Sequence, residues 1–377
     1  MLISINITGD IKGLETEWLA FQARACGSFY QTWQWCSVWQ EQVGARRGTE
    51  PVIVTGRAGD GALAFLLPLA FNRRNGVLAL EWLAMAQSSY GYGLYSADFL
   101  PVAANWFATE GWSVIAKLKR FDVIHLRDLP QRMHGQDHPL RAWFTLRGRN
   151  HSYVMDLKSD YEALYQAKRS SETRRGNRKR DTKLAAVGQL GFGLPASRAE
   201  AGQLLETMFA QQRDRLAESG IHGVFGRLER AFVHALLDLP APMQPVLLPY
   251  HLTVDGKMEA MMLGGNYGGT YWALISSLGA GEARKHSPGD AALRRTIEAC
   301  CAAGMTRLDF SSGDTAYKQQ WADDIIPLYD IVRARTARGA VWSAAMIAAL
   351  AAKRTIKQTP FLWNLATKLR KTRASED

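Results

Sequence analysis

The strongest constraint on this chain is an order of elements that it runs through twice. In the first half, helical spacing over Leu14–Cys26 and Trp33–Val43 gives way to short apolar runs at Val52–Val54, Ala62–Leu69 and Val77–Trp82. Gly56-Arg57-Ala58-Gly59-Asp60-Gly61 and Asn72-Arg73-Arg74-Asn75-Gly76 join those runs as turns. Trp106–Leu118 then reads as a helix and Val123–Leu126 as a buried strand. The second half repeats the order, with helices over Tyr161–Ala186, Ala199–Ser219 and Leu228–Leu237. Strands are expected at Val246–Val254, Met258–Gly264 and Thr270–Ile275, the first two joined by Asp255-Gly256, a strong two-residue hairpin signal. A loop, Ser276–Ser287, leads to a helix from Pro288 to about Ala303, a short strand Thr306–Phe310 and a last strand Leu328–Arg335. A chain of 377 residues with this pattern predicts two α/β (α+β) domains, at 1–148 and 149–338, followed by a basic helical tail, 339–377.

Charge sharpens the division. Lys and Arg number 46 against 35 Asp and Glu, and the whole excess of +11 lies in two stretches. Residues 168–183 hold eight basic and two acidic residues, and residues 353–377 hold seven and two. A uniformly basic nucleic-acid binder is excluded; the first stretch reads either as a contact for an anionic substrate or as a solvated helix face. The four cysteines include no C-x-x-C, and the eight histidines show neither H-x-x-x-H nor H-E-x-x-H, so no metal site is expected. The N-terminus lacks the pattern of a signal peptide and the apolar run Gly339–Ala352 is too short to cross a bilayer, which predicts a cytoplasmic protein.

Three segments carry possible chemistry. At Ser276–Ser287 and the helix behind it, unpaired backbone N–H groups and the positive end of a helix dipole meet Arg284, Lys285 and His286, a combination that suits an anion. The alternative is an ordinary capped helix. No GxxxxGK[ST] or GxGxxG is present, which disfavours nucleotide triphosphates and dinucleotides, and without a GxSxG an esterase-type serine is disfavoured. The second segment is Leu308-Asp309-Phe310-Ser311-Ser312-Gly313-Asp314-Thr315-Ala316-Tyr317-Lys318-Gln319-Gln320-Trp321. Here Asp314 reads as a base or a helix cap, Tyr317 as an acid, Lys318 as an anion contact, and Trp321 as a substrate contact or core. The third is aromatic: Phe29, Tyr30, Trp33, Trp35 and Trp39 read as core, and Tyr90-Gly91-Tyr92-Gly93 as core or as cleft lining.

These three segments and the basic stretch 168–183 together resemble one bacterial family. FYQTWQWCSVWQEQVG, SSETRRGNRKR, HSPGDAALRRTIEACCAAG and RLDFSSGDTAYKQQW follow the order found in the cellulose-biosynthesis-type (CelD/BcsL) acetyltransferase-like proteins of the GNAT superfamily. The resemblance implies tandem GNAT-like domains, each a mixed twisted sheet flanked by helices, related to Fem-type aminoacyltransferases. It implies acetyl-CoA or another acyl-CoA as donor, with its pyrophosphate at Arg284, Ser287, Gly289, Asp290 and Ala291. The acceptor it implies is an amine or hydroxyl on a sugar or polysaccharide precursor. On chemical grounds a backbone N–H of strand 270–275 polarises the thioester, Asp314 or Asp309 takes the proton, and Tyr317 protonates the leaving thiolate. Lys318, Trp321, Arg174 and Arg175 are the expected substrate contacts. Two alternatives stand beside this reading: a Fem-like transferase using aminoacyl-tRNA, with helix 168–183 on the RNA, and a catalytically degenerate scaffold whose tail touches a membrane surface.

Overall fold

In the computed structural model, residues 2–217, 225–240, 243 and 247–359 are described. The chain divides into two compact units. Unit 1 comprises Met1–Arg149, Arg215–Val224 and Pro327–Asp377; unit 2 comprises Asn150–Asp214 and Phe225–Ile326. The segment from Pro327 onward differs: it was expected in the second domain and in a separate tail, and it belongs to unit 1.

Unit 1 opens with β1 (Ser4–Thr8), which the sequence pattern did not reveal, then α1 (Glu15–Gln22) and α2 (Trp33–Trp39). The meander β2 (Glu50–Arg57), β3 (Leu63–Arg74) and β4 (Val77–Trp82) follows, with the short strand β5 (Leu94–Tyr95) paired to β3. The helix expected over Trp106–Leu118 is instead two, α3 (Leu100–Thr109) and α4 (Gly111–Ala116), before β6 (Val123–Pro130) and the hairpin β7 (Arg132–Met133) and β8 (Gln136–Asp137). Unit 2 contains β9 (Leu146–Asp156, from Asn150), α5 (Tyr161–Lys168), α6 (Ser171–Ala185), β10 (Leu190–Gly193), α7 (Arg198–Ala217) and α8 (Arg227–Leu237). It continues through β11 (Leu247–Val254), β12 (Lys257–Tyr267), β13 (Thr270–Leu278), α9 (Pro288–Ala302), β14 (Arg307–Ser312) and α10 (Ala316–Trp321). The chain then forms β15 (Asp324–Ala334) and α11 (Ala337–Gln358). Most of the basic stretch 353–377 lies outside the described residues, and so does the expected membrane contact.

Each unit has the same sheet plan. In unit 1, β1, β2, β3 and β4 are antiparallel neighbours, β6 runs parallel to β4, and β15 returns antiparallel to β6. In unit 2, β10 to β13 form the antiparallel meander, β14 is parallel to β13, and β9 is antiparallel to β14. The turns follow from local chemistry: Asn75-Gly76 and Asp255-Gly256 all have positive φ, as a two-residue type I′ hairpin requires. The single helix read over Tyr161–Ala186 is broken, because the Ser170 side chain accepts from the Thr173 N–H and starts α6 afresh. A run of charge conceals this cap from a periodicity count.

The core of unit 2 is the face of β11 to β14 covered by α9. Ala292, Leu293, Thr296, Ile297, Cys300 and Cys301 of α9 recur at helical spacing and pack toward Leu252, Met262, Tyr271 and Leu308. In unit 1 the aromatic segments are core. Tyr90 and Tyr92 are fully buried, and Trp33, Trp35 and Trp39 donate their indole N–H groups to Ile11, Ser88 and Gln87. The cleft-lining alternative for Tyr90-Gly91-Tyr92-Gly93 is thereby excluded.

Candidate active site

The chemistry-bearing residues of unit 2 collect where β13 and β14 part. The two strands pair in parallel at Thr270↔Arg307, Tyr271↔Leu308 and Trp272↔Asp309, and the pairing ends there. Both strands then leave regular geometry. On β13 the register with β12 passes from Gly264↔Ala273 to Leu263↔Ile275, so Leu274 is a bulge residue with no partner in β12. On β14 the register with β9 slips between Asp309 and Ser312, and Ser311 adopts φ 61°. Left-handed backbone at a serine is strained and needs support. The buried Asp309 supplies it by accepting the Ser311 N–H at 2.7 Å, and the Ser311 hydroxyl reaches across the opening to the Ala273 carbonyl at 2.5 Å. Asp309 is therefore a brace for the mouth of the cleft, and its candidacy as a base falls.

Just beyond this brace, Asp314 binds β9. Its Oδ1 accepts from the His151 backbone N–H at 3.1 Å, from His151 Nδ1 at 3.3 Å and from the Tyr153 hydroxyl at 3.0 Å. Burial pushes the Asp314 carboxyl up, but these hydrogen bonds and the neighbouring imidazole outweigh it, so the group is held below the usual carboxylate range. The Tyr153 phenol is pushed up, first by burial and also by the carboxylate, despite a contact from Gln319. Lys318 is 8% exposed; its ammonium donates to the Ser312 carbonyl at 2.7 Å. Burial lowers it to about 8 against the opposing pull of Asp309 and Asp314. A lysine tuned in this way is a usable proton donor near neutral pH, whereas Asp314, so well solvated by donors, is a weak base. Tyr317 lies partly exposed with its ring edge-on to Phe310.

The loop before α9 corrects one expectation: the Asp290 and Ala291 N–H groups, read as open to an anion, are taken within the turn. A 3₁₀ turn, Glu282–His286, ends at Ser287, whose backbone is left-handed (φ 60°, ψ 52°) and whose side chain makes no cap to α9. The Ala291 and Asp290 N–H groups are bonded to the Ser287 carbonyl. Gly289 is small because it packs: a Cβ there would lie 2.7 Å from Leu278 Cδ2. Asp290 pairs with Arg294, which also takes Asp181 of α6 in a two-pronged bond at 2.6 and 2.9 Å. These contacts bring the basic helix α6, which packs against the Glu282–His286 turn, beside the start of α9. On α6, Arg175 is exposed and Arg174 half-buried, its Nε without a partner among the described residues. Arg284 is exposed.

Trp321, expected to meet substrate, is fully buried instead. Its ring stacks on Tyr165, itself stacked on Tyr161, and the Arg169 guanidinium sits 3.8 Å from its centroid. The sequence reading missed His151, Tyr153, the Leu274 bulge and the Asp309–Ser311 brace. The one available signal was His151-Ser-Tyr153 ahead of an apolar run, an i, i+2 pair on one face of a strand. Among the described residues there is no group of three or more His, Cys, Asp or Glu side chains placed to hold a metal.

A meander, a parallel pair opening beside a bulge, and a helix start behind the loop give unit 2 a GNAT-like fold, and unit 1 repeats its sheet plan. The comparisons agree. Residues 171–319 match the family described as Acetyltransferase (GNAT) domain. Among solved structures, FemX is similar at 12% identity over 88% of this chain and 98% of its own, with a TM-score of 0.57. A conserved protein of unknown function from Bacteroides thetaiotaomicron matches at 12% identity over 87% and 99%, with a TM-score of 0.53. The C-terminal domain of a protein described as a putative lysylphosphatidylglycerol synthetase from Agrobacterium fabrum matches at 9% identity over 90% and 95%, with a TM-score of 0.52. Identities this low speak for the fold alone. No curated protein matches. The matched family model spans α6 through β14, and the solved structures share the fold.

Proposed function

We propose that unit 2 transfers an acyl group from acyl-CoA to an amine or hydroxyl, on a sugar or polysaccharide precursor. The observation that carries this reading is the opening between β13 and β14, with the bulge residue Leu274 on one side and the Asp314–Lys318 cluster at its far end. A backbone N–H at the bulge polarises the thioester carbonyl, and the strands hold donor and acceptor in line. Lys318 supplies positive charge and a proton as the thiolate departs. The pyrophosphate rests against the Glu282–His286 turn and the start of α9, with Arg284 and Arg175 facing solvent beside it. The saccharide acceptor rests on the resemblance to the CelD/BcsL type. Calorimetry with acetyl-CoA and desulfo-CoA tests the donor: binding is expected with a micromolar to sub-millimolar Kd, and no heat at millimolar ligand sinks the reading.

A second reading draws on one observation, that Asp290 places a carboxylate in the first turn of α9 while exposed Arg175, Arg178 and Lys179 line the adjoining helix. That arrangement suits an aminoacyl donor carried on RNA. Binding of tRNA that falls steeply with salt and is lost on neutralising those three residues would favour it.

A further inference from the structure

Resting on the reading of unit 2 as an acyltransferase, we infer that His151 is the general base of the transfer and that Asp314 is its positioning residue. The protons settle the tautomer. Asp314, kept ionised, can only accept, so the hydrogen on the His151–Asp314 contact belongs to Nδ1. The Nε2 lone pair is then left free, and among the described residues it has no protein partner. The ring is neither sealed nor loose: its side chain is 32% exposed, and its backbone is fixed twice, by the N–H to Asp314 and by the carbonyl accepting from Gly313. That second bond sets His151 level with Gly313, two residues past Ser311, whose hydroxyl spans the cleft mouth. Gly313 has a φ of 105°, in the region that glycine alone readily adopts, and leads the chain directly into Asp314. The titratable groups around the pair are the Tyr153 phenol, which shares the Asp314 carboxylate, and Lys318, whose charge interacts with Asp314.

The chemistry closes. The acceptor nitrogen attacks the thioester carbonyl, a C–N bond forms, and its proton passes to Nε2. The imidazolium is balanced by Asp314, the C–S bond breaks, and the proton is returned to the thiolate directly or through Lys318. Asp314 thus works through the ring, fixing its tautomer and stabilising its charged form, in the manner of an acid–histidine pair.

Two measurements test this. In acetyl-CoA assays with glucosamine as probe, His151→Asn keeps a donor to Asp314 and removes the base. Its kcat is expected to fall by about 10² to 10⁴ with acetyl-CoA binding unchanged. Hydroxylamine, unprotonated at neutral pH, should lose far less, and added imidazole should restore part of the rate. Asp314→Asn should lower kcat, leave KM for acetyl-CoA alone and shift the pH profile. Wild-type rates with His151→Asn, or equal loss with both nucleophiles, would overturn the assignment. The second measurement needs no substrate: diethylpyrocarbonate should modify His151 Nε2 in the wild type, and more slowly in Asp314→Asn, read by mass spectrometry. An unreactive His151 overturns the inference, whereas failure of acetyl-CoA to bind overturns only the donor reading.

Discussion

Replacing Lys318 by Met should stabilise unit 2 while impairing its chemistry, and the size of the gain can be worked out. Burial brings the ammonium from 10.5 to about 8, which corresponds to a penalty on the order of 3 kcal/mol for keeping the folded lysine charged at neutral pH. The substitution removes that penalty. It also strands the Ser312 carbonyl, a loss of roughly 1 kcal/mol, so the expected net gain at pH 7 is about 1–2 kcal/mol. The pH dependence has a definite sign. Below pH 8 folded and unfolded chains both carry the proton and the penalty is complete. Between pH 8 and 10.5 the unfolded chain binds more protons than the folded one, so wild-type stability climbs relative to the variant. Urea unfolding of both proteins at pH 7, 8.5 and 10, with the difference taken at each pH, isolates this group from every other titration. A variant less stable than wild type at pH 7 by 1 kcal/mol or more, or a difference that stays constant to pH 10, would refute the reasoning and make Lys318 a structural anchor.

The remaining expectations concern the cleft's supports and unit 1. Gly289→Ala should destabilise by about 1 kcal/mol through the Leu278 methyl; a double variant with Leu278→Ala should remove that sensitivity to the added methyl, as measured by a double-mutant cycle in thermal melts. Asp309→Ala should cost about 1–3 kcal/mol by releasing the left-handed Ser311, and Asp309→Asn, which still accepts, should cost less in the same melts. In unit 1, Glu81 is pushed up by burial but held down to about 2 by His125 and Arg74; its contribution should be complete above pH 4.5 and fade as pH falls toward 2. Acid titration of Glu81→Gln against wild type, followed by tryptophan fluorescence, should show the difference vanish over that window. If Lys318 is the acid, kcat should decline above pH about 8, and this limb should be absent in Lys318→Met.

What could be read from the sequence was whatever is encoded locally. Asp255-Gly256 announces its turn because only a few residue types accept positive φ at both positions. The Leu308–Trp321 segment announced itself by packing acids, small residues and a phenol at a strand end. The functions within it were harder to assign, because they depend on partners far away in the chain. Asp314 meets His151 across 163 residues, and no spacing reveals that pair. Trp321 and Gly289 illustrate the opposite error: each belongs to a suggestive motif, yet Trp321 is enclosed by Tyr165 and Arg169, and Gly289 by Leu278. The Leu274 bulge was invisible for a different reason, since a bulge exists only relative to a neighbouring strand's register.

The late return of the chain to unit 1 has a consequence for biosynthesis. Unit 2 is complete at Ile326, but the edge of β6 has no partner until Leu328–Ala334 have been made. A ribosome delivering this chain from its N-terminus therefore releases the inserted unit first and the enclosing unit last. For the time needed to translate about 200 residues, roughly ten seconds or more, β6 presents open backbone donors and acceptors to its surroundings. Nascent chains in which an unrelated linker replaces Pro327 onward, long enough to carry Ile326 clear of the ribosome, should bind holdase chaperones through unit 1 while unit 2 already resists protease.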